Sequence, residues 1–228
     1  MLYAALGDSI TYGYASSTEE TRFAGRVVSS LSKQDKVNLY VHAKPGWTSR
    51  RLLKTLQDVP KCIWDEAQLI TIMVGGNDLL KALPWLIDGK LRHLGQVTRN
   101  LHRNLTEIVR LVKRPQSKIV LATIYNPFPN SAVAEECVEA LNKAIRLVVR
   151  QEDLILADVR QQFFSREHHF VGGYRRGLVR DFRIFGNPIH PNDEGHLEIA
   201  RTVLRSYRRS VVQNRMKSRK SSQGRQNT

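Results

Sequence analysis

The sequence predicts an α/β protein built on one parallel sheet of five strands, with helices on both faces. Short apolar segments bounded by turn residues alternate with longer segments of helical periodicity, which is the order of elements in parallel α/β units. The segment Leu69–Val74 is a continuous apolar and β-branched run, as expected of a strand buried on both faces. Chemically useful polar residues follow three of the predicted strands, and such sheets gather reactive groups at the carboxyl ends of their strands.

The individual elements follow from these local patterns. The first strand ends directly before Gly7, and the last helix begins at Asn192 or Asp193, where either residue is a good N-cap and Glu194 adds favourable negative charge. No repeat or internal linker interrupts the series, which indicates one domain. The predicted strands are Tyr3–Leu6, Val37–Ala43, Leu69–Val74, Lys118–Thr123 and Leu154–Ala157, and the predicted helices are Glu19–Leu31, Ser49–Leu56, Leu91–Val112, Ala132–Arg150 and the segment from Asn192 through Leu204.

Length and composition restrict the class of protein. The chain has 228 residues, enough for one large domain, and its 41% hydrophobic content and mean hydropathy of −0.37 are ordinary for a soluble protein. No segment approaches the ~20 apolar residues of a membrane span. The N-terminus lacks the basic and apolar regions of a signal peptide, so we expect a cytoplasmic location. Cys62 and Cys137 have no metal-like spacing and are expected to be reduced thiols.

The net charge of +15 is concentrated towards the C-terminus. From Arg205 onwards there are eight Lys or Arg residues and no acid, and the residues after Val212 are almost free of apolar side chains. We therefore predict a domain over residues 1–209 and a basic, disordered tail over residues 210–228. Such a tail suits peripheral contact with an anionic surface. No specific nucleic-acid partner is predicted, because aromatic residues do not interleave its charges.

Ser9 and His190 are the candidate nucleophile and base. Ser9 follows the first strand, and a serine hydroxyl becomes a good nucleophile when a base removes its proton. His190, in a late loop, is the natural base at neutral pH. Taken alone, Gly7-Asp8-Ser9 is equally well a strand-to-helix turn in which Asp8 or Ser9 caps the helix.

Three groups are candidates for stabilising an oxyanion. They are the backbone N–H of Ser9, the backbone N–H of Gly46 after the second strand, and the side-chain amide of Asn77 after the third. A glycine lets the backbone turn its N–H towards a ligand. Their position at three successive strand ends predicts that the three groups lie together.

These motifs resemble the SGNH-hydrolase superfamily, also called GDSL lipases and esterases. The similarity spans Leu2 to Arg205, and its blocks are Leu6-Gly7-Asp8-Ser9, the glycine of Pro45-Gly46-Trp47, Gly75-Gly76-Asn77-Asp78 and His190-Pro191-Asn192. The resemblance implies a three-layer, flavodoxin-like fold with strand order 2-1-3-4-5 and ester hydrolysis without a cofactor. It also implies the roles given above to Ser9, His190, Gly46 and Asn77. Within the family the chain is most similar to bacterial spore-germination lipases, which offers a spore or cell envelope as the alternative location.

The sequence departs from this family at the third triad position. Where the family has an aspartate three residues before the histidine, this chain has Asn187. An asparagine accepts the imidazole Nδ1–H but carries no charge to stabilise the imidazolium. We expect Asn187 to orient His190 in a working but slower enzyme. The alternative is that the carboxylate of Asp181 or Asp193 takes the place of the missing aspartate, although nothing in the sequence positions either one.

The interval before His190 is basic and aromatic, which suits an ester that bears a phosphate; the alternative is a solvated loop whose aromatics complete the core. No metal site is predicted, because the side chains of His168 and His169 point apart and no carboxylates accompany them. The sequence has neither a phosphate-binding loop nor a Gly-x-Ser-x-Gly motif. The predicted function is cleavage of lipid or small acyl esters through a Ser9 acyl-enzyme, and the alternative is a weakly active or inactive binding protein attached through its tail.

Overall fold

A five-stranded parallel sheet forms the centre of the fold, in the order β2-β1-β3-β4-β5. The structure is a computed structural model that describes residues 1–87, 92–184 and 188–224. Both the parallel arrangement and the strand order predicted above are confirmed. The strands are β1 (Leu2–Gly7), β2 (Asn38–Ala43), β3 (Ala67–Met73), β4 (Lys118–Ala122) and β5 (Ile155–Ala157).

Helices cover both faces of the sheet. One apolar cluster lies between the sheet and a helical layer that includes Leu52, Leu101 and Leu141, and a second lies between the opposite face and a layer that includes Phe23 and Ile199. The helices are α1 (Ser9–Tyr12), α2 (Phe23–Leu31), α3 (Ser49–Leu56), α4 (Lys61–Glu66), α5 (Gly76–Ile87), α6 (Arg92–Val112), α7 (Ala132–Gln151), α8 (Val159–Phe163), α9 (Glu167–Phe170), α10 (Val179–Ile184) and α11 (Asp193–Gly224).

The inner strand β1 shows why its residues are continuously apolar rather than alternately apolar and polar. Tyr3 and Ala5 belong to one apolar cluster, whereas Ala4 and Leu6 belong to the other, since successive side chains of a strand point to opposite faces. All four are fully buried. A strand covered on both faces therefore has no polar position. This burial holds β1 in place, and Ser9 lies immediately beyond its end.

Two helix boundaries differ from the predictions. The helix expected from Glu19 begins at Phe23. Thr18 and Thr21 bond each other instead, since each backbone N–H donates to the other residue's hydroxyl (2.9 and 3.2 Å), and this local turn replaces the first helical turn. Helix α5, which starts inside the Gly-Gly-Asn-Asp motif, was not predicted, nor were five helices of four to six residues that are too short to show periodicity.

Helix α11 extends further than predicted. It continues past Leu204 to Gly224, although Leu204 is the last buried apolar residue among the side chains described, which end at Gln213. Residues 210–224, which were expected to be disordered, are helical here, whereas the domain boundary at 209/210 stays a prediction. Within the described ranges, no helix combines the length and the apolar character that crossing a membrane requires.

Candidate active site

A sharp turn between β1 and α1 presents Ser9 at the carboxyl edge of the sheet. A Cβ on Gly7 would lie 2.2 Å from the Thr11 hydroxyl and 2.3 Å from the carbonyl oxygen of Met73, so this turn requires glycine. Asp8 caps α1, because its carboxylate accepts the backbone N–H of Ile10 at 3.1 Å. Ser9 is therefore the first residue of α1 and lies just beyond the end of β1.

The imidazole of His190 reaches this serine. Its Nε2 lies 3.1 Å from the Ser9 Oγ. The loop around His190 is held by its backbone: the Tyr125 hydroxyl donates to the carbonyl of Ile189 at 2.5 Å, and the N–H of Gly172 donates to the carbonyl of His190 at 2.9 Å. The ring of Tyr14 packs against the imidazole with a centroid distance of 4.4 Å. The structure thus brings these two predicted site residues within hydrogen-bond distance of each other.

The protonation state of His190 suits a base. Burial lowers the pKa of its imidazole to about 4, since desolvation disfavours the charged form. At neutral pH the ring is uncharged, and its Nε2 can accept the Ser9 proton in the tautomer that carries hydrogen on Nδ1. The same low pKa means that an imidazolium at this position is disfavoured. Its stabilisation by a neighbouring group would therefore affect the rate of any proton transfer to His190.

Gly46 and Asn77 flank Ser9 on the two neighbouring strand ends. Gly46 has φ of +80° and open space where a Cβ would stand, so backbone conformation rather than crowding favours glycine there. The Asn77 Nδ2 donates to the carbonyl of Trp47 at 3.0 Å and makes a longer contact of 3.4 Å to an oxygen of Asp8. Ser9, Gly46, Asn77 and His190 line one open pocket, so the structure brings these four predicted site residues together.

The third triad position cannot be described in the same way. Asn187 lies outside the described residues, and its role as orienter of His190 stays a prediction. Both alternative carboxylates have other partners. Asp181 accepts the backbone N–H groups of Arg176 and Leu178, and Asp193 accepts that of Ser17. Among the described residues, neither carboxylate is hydrogen-bonded to the imidazole.

The sequence predicts Asp8 only as a helix cap, but the structure also places its carboxyl within the site. Its carboxyl is 3% exposed, and burial raises its pKa to about 7, with Asp78 adding a smaller electrostatic contribution in the same direction. It also contacts the Asn77 amide. A carboxyl directly before the nucleophile was visible in the sequence, but its burial depends on residues from β3 and β4 that the motif does not contain.

An apolar pocket opens beside Ser9 and extends between α5 and α7. Its empty volume is about 890 Å³, part of it open to solvent. Polar groups, including Ser9, Asn77 and His190, stand at one end. Its apolar lining consists chiefly of Met73, Val74, Leu79, Leu80, Ile124, Phe128, Val133, Cys137, Val138 and Val179. The more open pocket on the other side of Ser9 adds Tyr14, Pro45, Lys81 and Phe182. An ester at Ser9 therefore has an apolar pocket on one side and an open one on the other.

The described arginines of the interval before His190 are absent from the lining of both pockets beside Ser9. Arg160 is 5% exposed and pairs with Glu135 at 2.6 Å and with Glu167 at 3.5 Å, so it serves the interior. Phe163 and Phe170 are buried in the core, as the alternative interpretation of this segment expected. The expectation that the side chains of His168 and His169 point apart is wrong, because their rings lie against each other with a centroid distance of 4.0 Å. Across the described ranges, no group of His, Cys, Asp or Glu is arranged to hold a metal ion.

Comparison with known proteins found a matching family model and a curated relative. A model of the GDSL-like lipase/acylhydrolase family matches residues 5–197. The spore germination lipase LipC of Bacillus licheniformis is 25% identical over 206 residues, which cover 85% of this chain and 90% of LipC.

Two solved structures share the fold. The lipase Lip_vut3 from a goat rumen metagenome has a TM-score of 0.75 at 24% identity and covers 90% of this chain and 97% of its own. The acetylxylan esterase Axe2 of Geobacillus stearothermophilus has a TM-score of 0.66 at 18% identity, over 90% of this chain and 93% of its own. The chain belongs to the GDSL-like lipase/acylhydrolase family and is a carboxylic ester hydrolase.

Proposed function

We propose that the protein cleaves lipid esters through a covalent acyl-enzyme on Ser9. The observation that carries this proposal is the 3.1 Å separation of the Ser9 Oγ and the His190 Nε2, between Gly46 and Asn77. His190 takes the Ser9 proton as the Oγ attacks the ester carbonyl, and then gives that proton to the leaving alcohol. Water, deprotonated by the same imidazole, attacks the acyl-enzyme and releases the carboxylic acid and the free serine.

Three donors would stabilise the oxyanion formed in both steps. They are the backbone N–H groups of Ser9 and Gly46 and one N–H of the Asn77 amide. The Asn77 amide holds a 3.0 Å bond to Trp47, whereas its contact to Asp8 is 3.4 Å. The longer contact is the one that we expect the oxyanion to replace. Asn187 would keep His190 in the tautomer that accepts the serine proton.

The apolar pocket supports an alkyl chain as the acyl group. It opens directly beside Ser9, and part of its empty volume of about 890 Å³ is open to solvent, so a chain can enter it from outside. Away from Ser9 its walls are aliphatic or aromatic, and Val133, Cys137 and Val138 of α7 form one side. Burying each further methylene of an acyl chain in such a pocket contributes about 0.8 kcal/mol. Lipid esters should therefore be preferred over acetyl esters.

We further propose that the alcohol side accepts a phosphate-bearing group, as in a phospholipid or lysophospholipid. The open pocket on that side includes the exposed Lys81. Arg175 and Arg176, which belong to the basic interval before His190, are exposed but are not among the residues lining either pocket. If Lys81→Ala lowers kcat/KM for lysophospholipid more than for a neutral ester of equal acyl length, the anionic head group is supported. An unchanged ratio would reject it.

Hydrolysis of p-nitrophenyl acetate, butyrate and a long-chain ester tests the central proposal. We expect turnover in wild type, with kcat/KM highest for the longer chains, and loss of turnover in Ser9→Ala and His190→Ala. A fluorophosphonate should label wild type but not Ser9→Ala. Turnover that survives in Ser9→Ala would reject the acyl-enzyme, and the absence of both turnover and labelling in wild type would favour the non-catalytic binding protein.

The spore germination lipase LipC suggests a location for this chain at a spore or cell envelope. The basic residues of α11 are a candidate attachment surface, because cationic helices are attracted to anionic lipids. Co-sedimentation with vesicles that contain anionic lipid would test this, with neutral vesicles as the control. Binding that persists after removal of residues 214–228 would exclude the tail as the anchor.

A further inference from the structure

The two segments that carry Gly46 and Asn77 are bonded directly to each other. Gly46 lies in the loop after β2, which ends where Thr48 caps α3. Asn77 lies in the first turn of α5, which follows β3. Because β2 and β3 stand on opposite sides of β1, contacts between these segments must pass across the end of the strand that leads to Ser9.

One carboxylate makes the main connection. Ser49, the first residue of α3, donates its backbone N–H to one oxygen of Asp78 at 2.9 Å and its hydroxyl to the other at 2.6 Å. Asp78 directly follows Asn77, and Ser49 lies three residues after Gly46. The 3.0 Å bond from the Asn77 amide to the carbonyl of Trp47 joins the same two segments. Three hydrogen bonds thus fix one oxyanion segment relative to the other.

A third helix anchors this connection. Asn104, in the middle of α6, donates its amide to the Ser49 hydroxyl at 2.9 Å. Ser49 is fully buried and Asn104 is 5% exposed. Leu101 and Leu105 on the same helix are also fully buried. The bonded group therefore rests on a helix that is fixed in the core, and the hydrogen bond between Asn104 and Ser49 is buried.

We propose that Asp78, Ser49 and Asn104 are positioning residues that hold the Gly46 N–H and the Asn77 amide in a fixed relation on either side of Ser9. This inference rests on the oxyanion role proposed above for Gly46 and Asn77. Donors stabilise an oxyanion when they are already placed about 2.7–3.1 Å from where it forms. Displacement by about 1 Å can lower the rate of an enzyme by roughly 100-fold, even when the substituted residue does not touch substrate.

The hydrogen bonds of Asp78 can be tested separately from its charge. Burial raises the pKa of this carboxyl, so the environment does not favour the ionised form. An asparagine in its place can accept the Ser49 N–H with its oxygen and donate its amide to the Ser49 hydroxyl. Asp78→Asn should therefore retain the geometry, whereas Asp78→Ala removes both bonds. A positioning role predicts that these two variants differ.

Asp158 provides a matched control. Its carboxylate likewise accepts one hydroxyl, that of Thr123 at 3.0 Å, and one backbone N–H, that of Gln161 at 3.2 Å, and it also pairs with the Arg146 guanidinium at 3.2 Å. It is half-buried at the end of β5 and is absent from the lining of both pockets beside Ser9. Asp158→Ala should therefore lower the Tm without changing how the oxyanion donors are placed.

Steady-state kinetics with p-nitrophenyl butyrate, together with the rate of Ser9 labelling by a fluorophosphonate, test the proposal. For Asp78→Ala we expect kcat to fall roughly 10- to 100-fold with KM changed less than about twofold. Labelling should slow in parallel. Asp78→Asn should stay within about threefold of wild type, and Asp158→Ala within about twofold. A kcat loss in Asp158→Ala as large as that in Asp78→Ala, or no loss in Asp78→Ala, would overturn the proposal.

Two further variants keep the test decisive. Ser49→Ala removes only the hydroxyl bonds and should lower kcat about three- to tenfold, so it decides the question if Asp78→Ala does not fold. Asn77→Ala should lower kcat roughly 100- to 1,000-fold if its amide is an oxyanion donor. Full activity in Asn77→Ala would reject the proposed oxyanion hole itself. A loss in Asn77→Ala with none in Ser49→Ala or Asp78→Ala would reject only the positioning role.

Discussion

The Ser9 Oγ and the His190 Nε2 lie 3.1 Å apart although 181 residues separate them in the chain. The segment after Ser9 and the segment after His190 are also hydrogen-bonded to each other. Asp193, at the start of α11, accepts the backbone N–H of Ser17 at 2.9 Å, and His196 accepts that of Phe23 at 3.3 Å. The first turn of the last helix is therefore bonded to the loop that follows the nucleophile, and it places His190 where Ser9 points.

The missing charge of the triad should be visible in the pH dependence of kcat/KM. Because burial lowers the pKa of His190 to about 4, its base form increases as pH rises through about 4, and wild-type activity should increase over the same range. In Asn187→Asp an adjacent carboxylate would favour the imidazolium and raise this pKa by about 1–3 units. The acidic limb should move upwards and kcat should rise at least about tenfold.

Asn187→Ala is the companion variant in the same titration. It should lower kcat if the asparagine orients the imidazole. An unchanged kcat in Asn187→Ala would remove Asn187 from the site. An unchanged acidic limb in Asn187→Asp would show that a carboxylate at this position does not act on His190.

Asp8→Asn should stabilise the protein at alkaline pH. The folded-state pKa of about 7 lies above the ordinary aspartate value of 3.8, so unfolding releases a proton between these values, and the stability contributed by protonated Asp8 is lost as pH rises through about 7. Asparagine has no such loss. The difference in the free energy of unfolding should vanish near pH 4 and reach up to about 4 kcal/mol at pH 8.

Thermal unfolding at pH 4, 6 and 8 measures this difference as a shift of several degrees in Tm. Asp58→Asn is the control, since it removes the same formal charge from an exposed position. A Tm advantage of Asp8→Asn that is independent of pH would contradict the ionisation argument.

Cys137→Phe should shorten the preferred acyl chain. Cys137 is 4% exposed and lines the apolar pocket, so a phenyl ring there takes up space that a long chain would use. We expect kcat/KM for a long-chain p-nitrophenyl ester to fall at least about tenfold while the acetate ester changes less than about threefold. Cys62→Phe, at an exposed thiol, is the matched control. An equal loss for all chain lengths would show that the substitution disturbs the site rather than the pocket.

Removing residues 214–228 should leave the domain folded and active on soluble esters. Leu204 is the last buried residue among the side chains of α11 that the structure describes, and the bond from Arg208 to the Ser30 hydroxyl lies before the cut. We expect Tm and kcat to match those of the full chain. By contrast, Ile199→Ala, at a fully buried position, should cost about 2–5 kcal/mol of stability. A truncated chain that loses Tm comparably to Ile199→Ala would show that the end of the helix supports the fold.

Local patterns were sufficient for the strands and for the residues that follow them. The strand core of β1 is recognisable because burial on both faces removes polar residues, and this pattern is readable in any short window. Ser9, Gly46 and Asn77 were recognisable because each follows a strand in a parallel sheet. The start of α2 was predicted too early. Residues 18–21 can form either a first helical turn or a turn closed by bonds between Thr18 and Thr21, and helix propensity does not distinguish the two.

By itself, the sequence determined the fold class, the order of its elements and which residues carry chemistry, because these depend on hydrophobic period and on residue type at strand ends. Only the tertiary structure decided that Asp8 is buried, that Asp78 joins α3 to α5, and that an apolar pocket opens beside Ser9. Each of these depends on side chains from several elements meeting in space. Burial, pKa and pocket shape are properties of such a set of neighbours, and no single segment of the chain contains them.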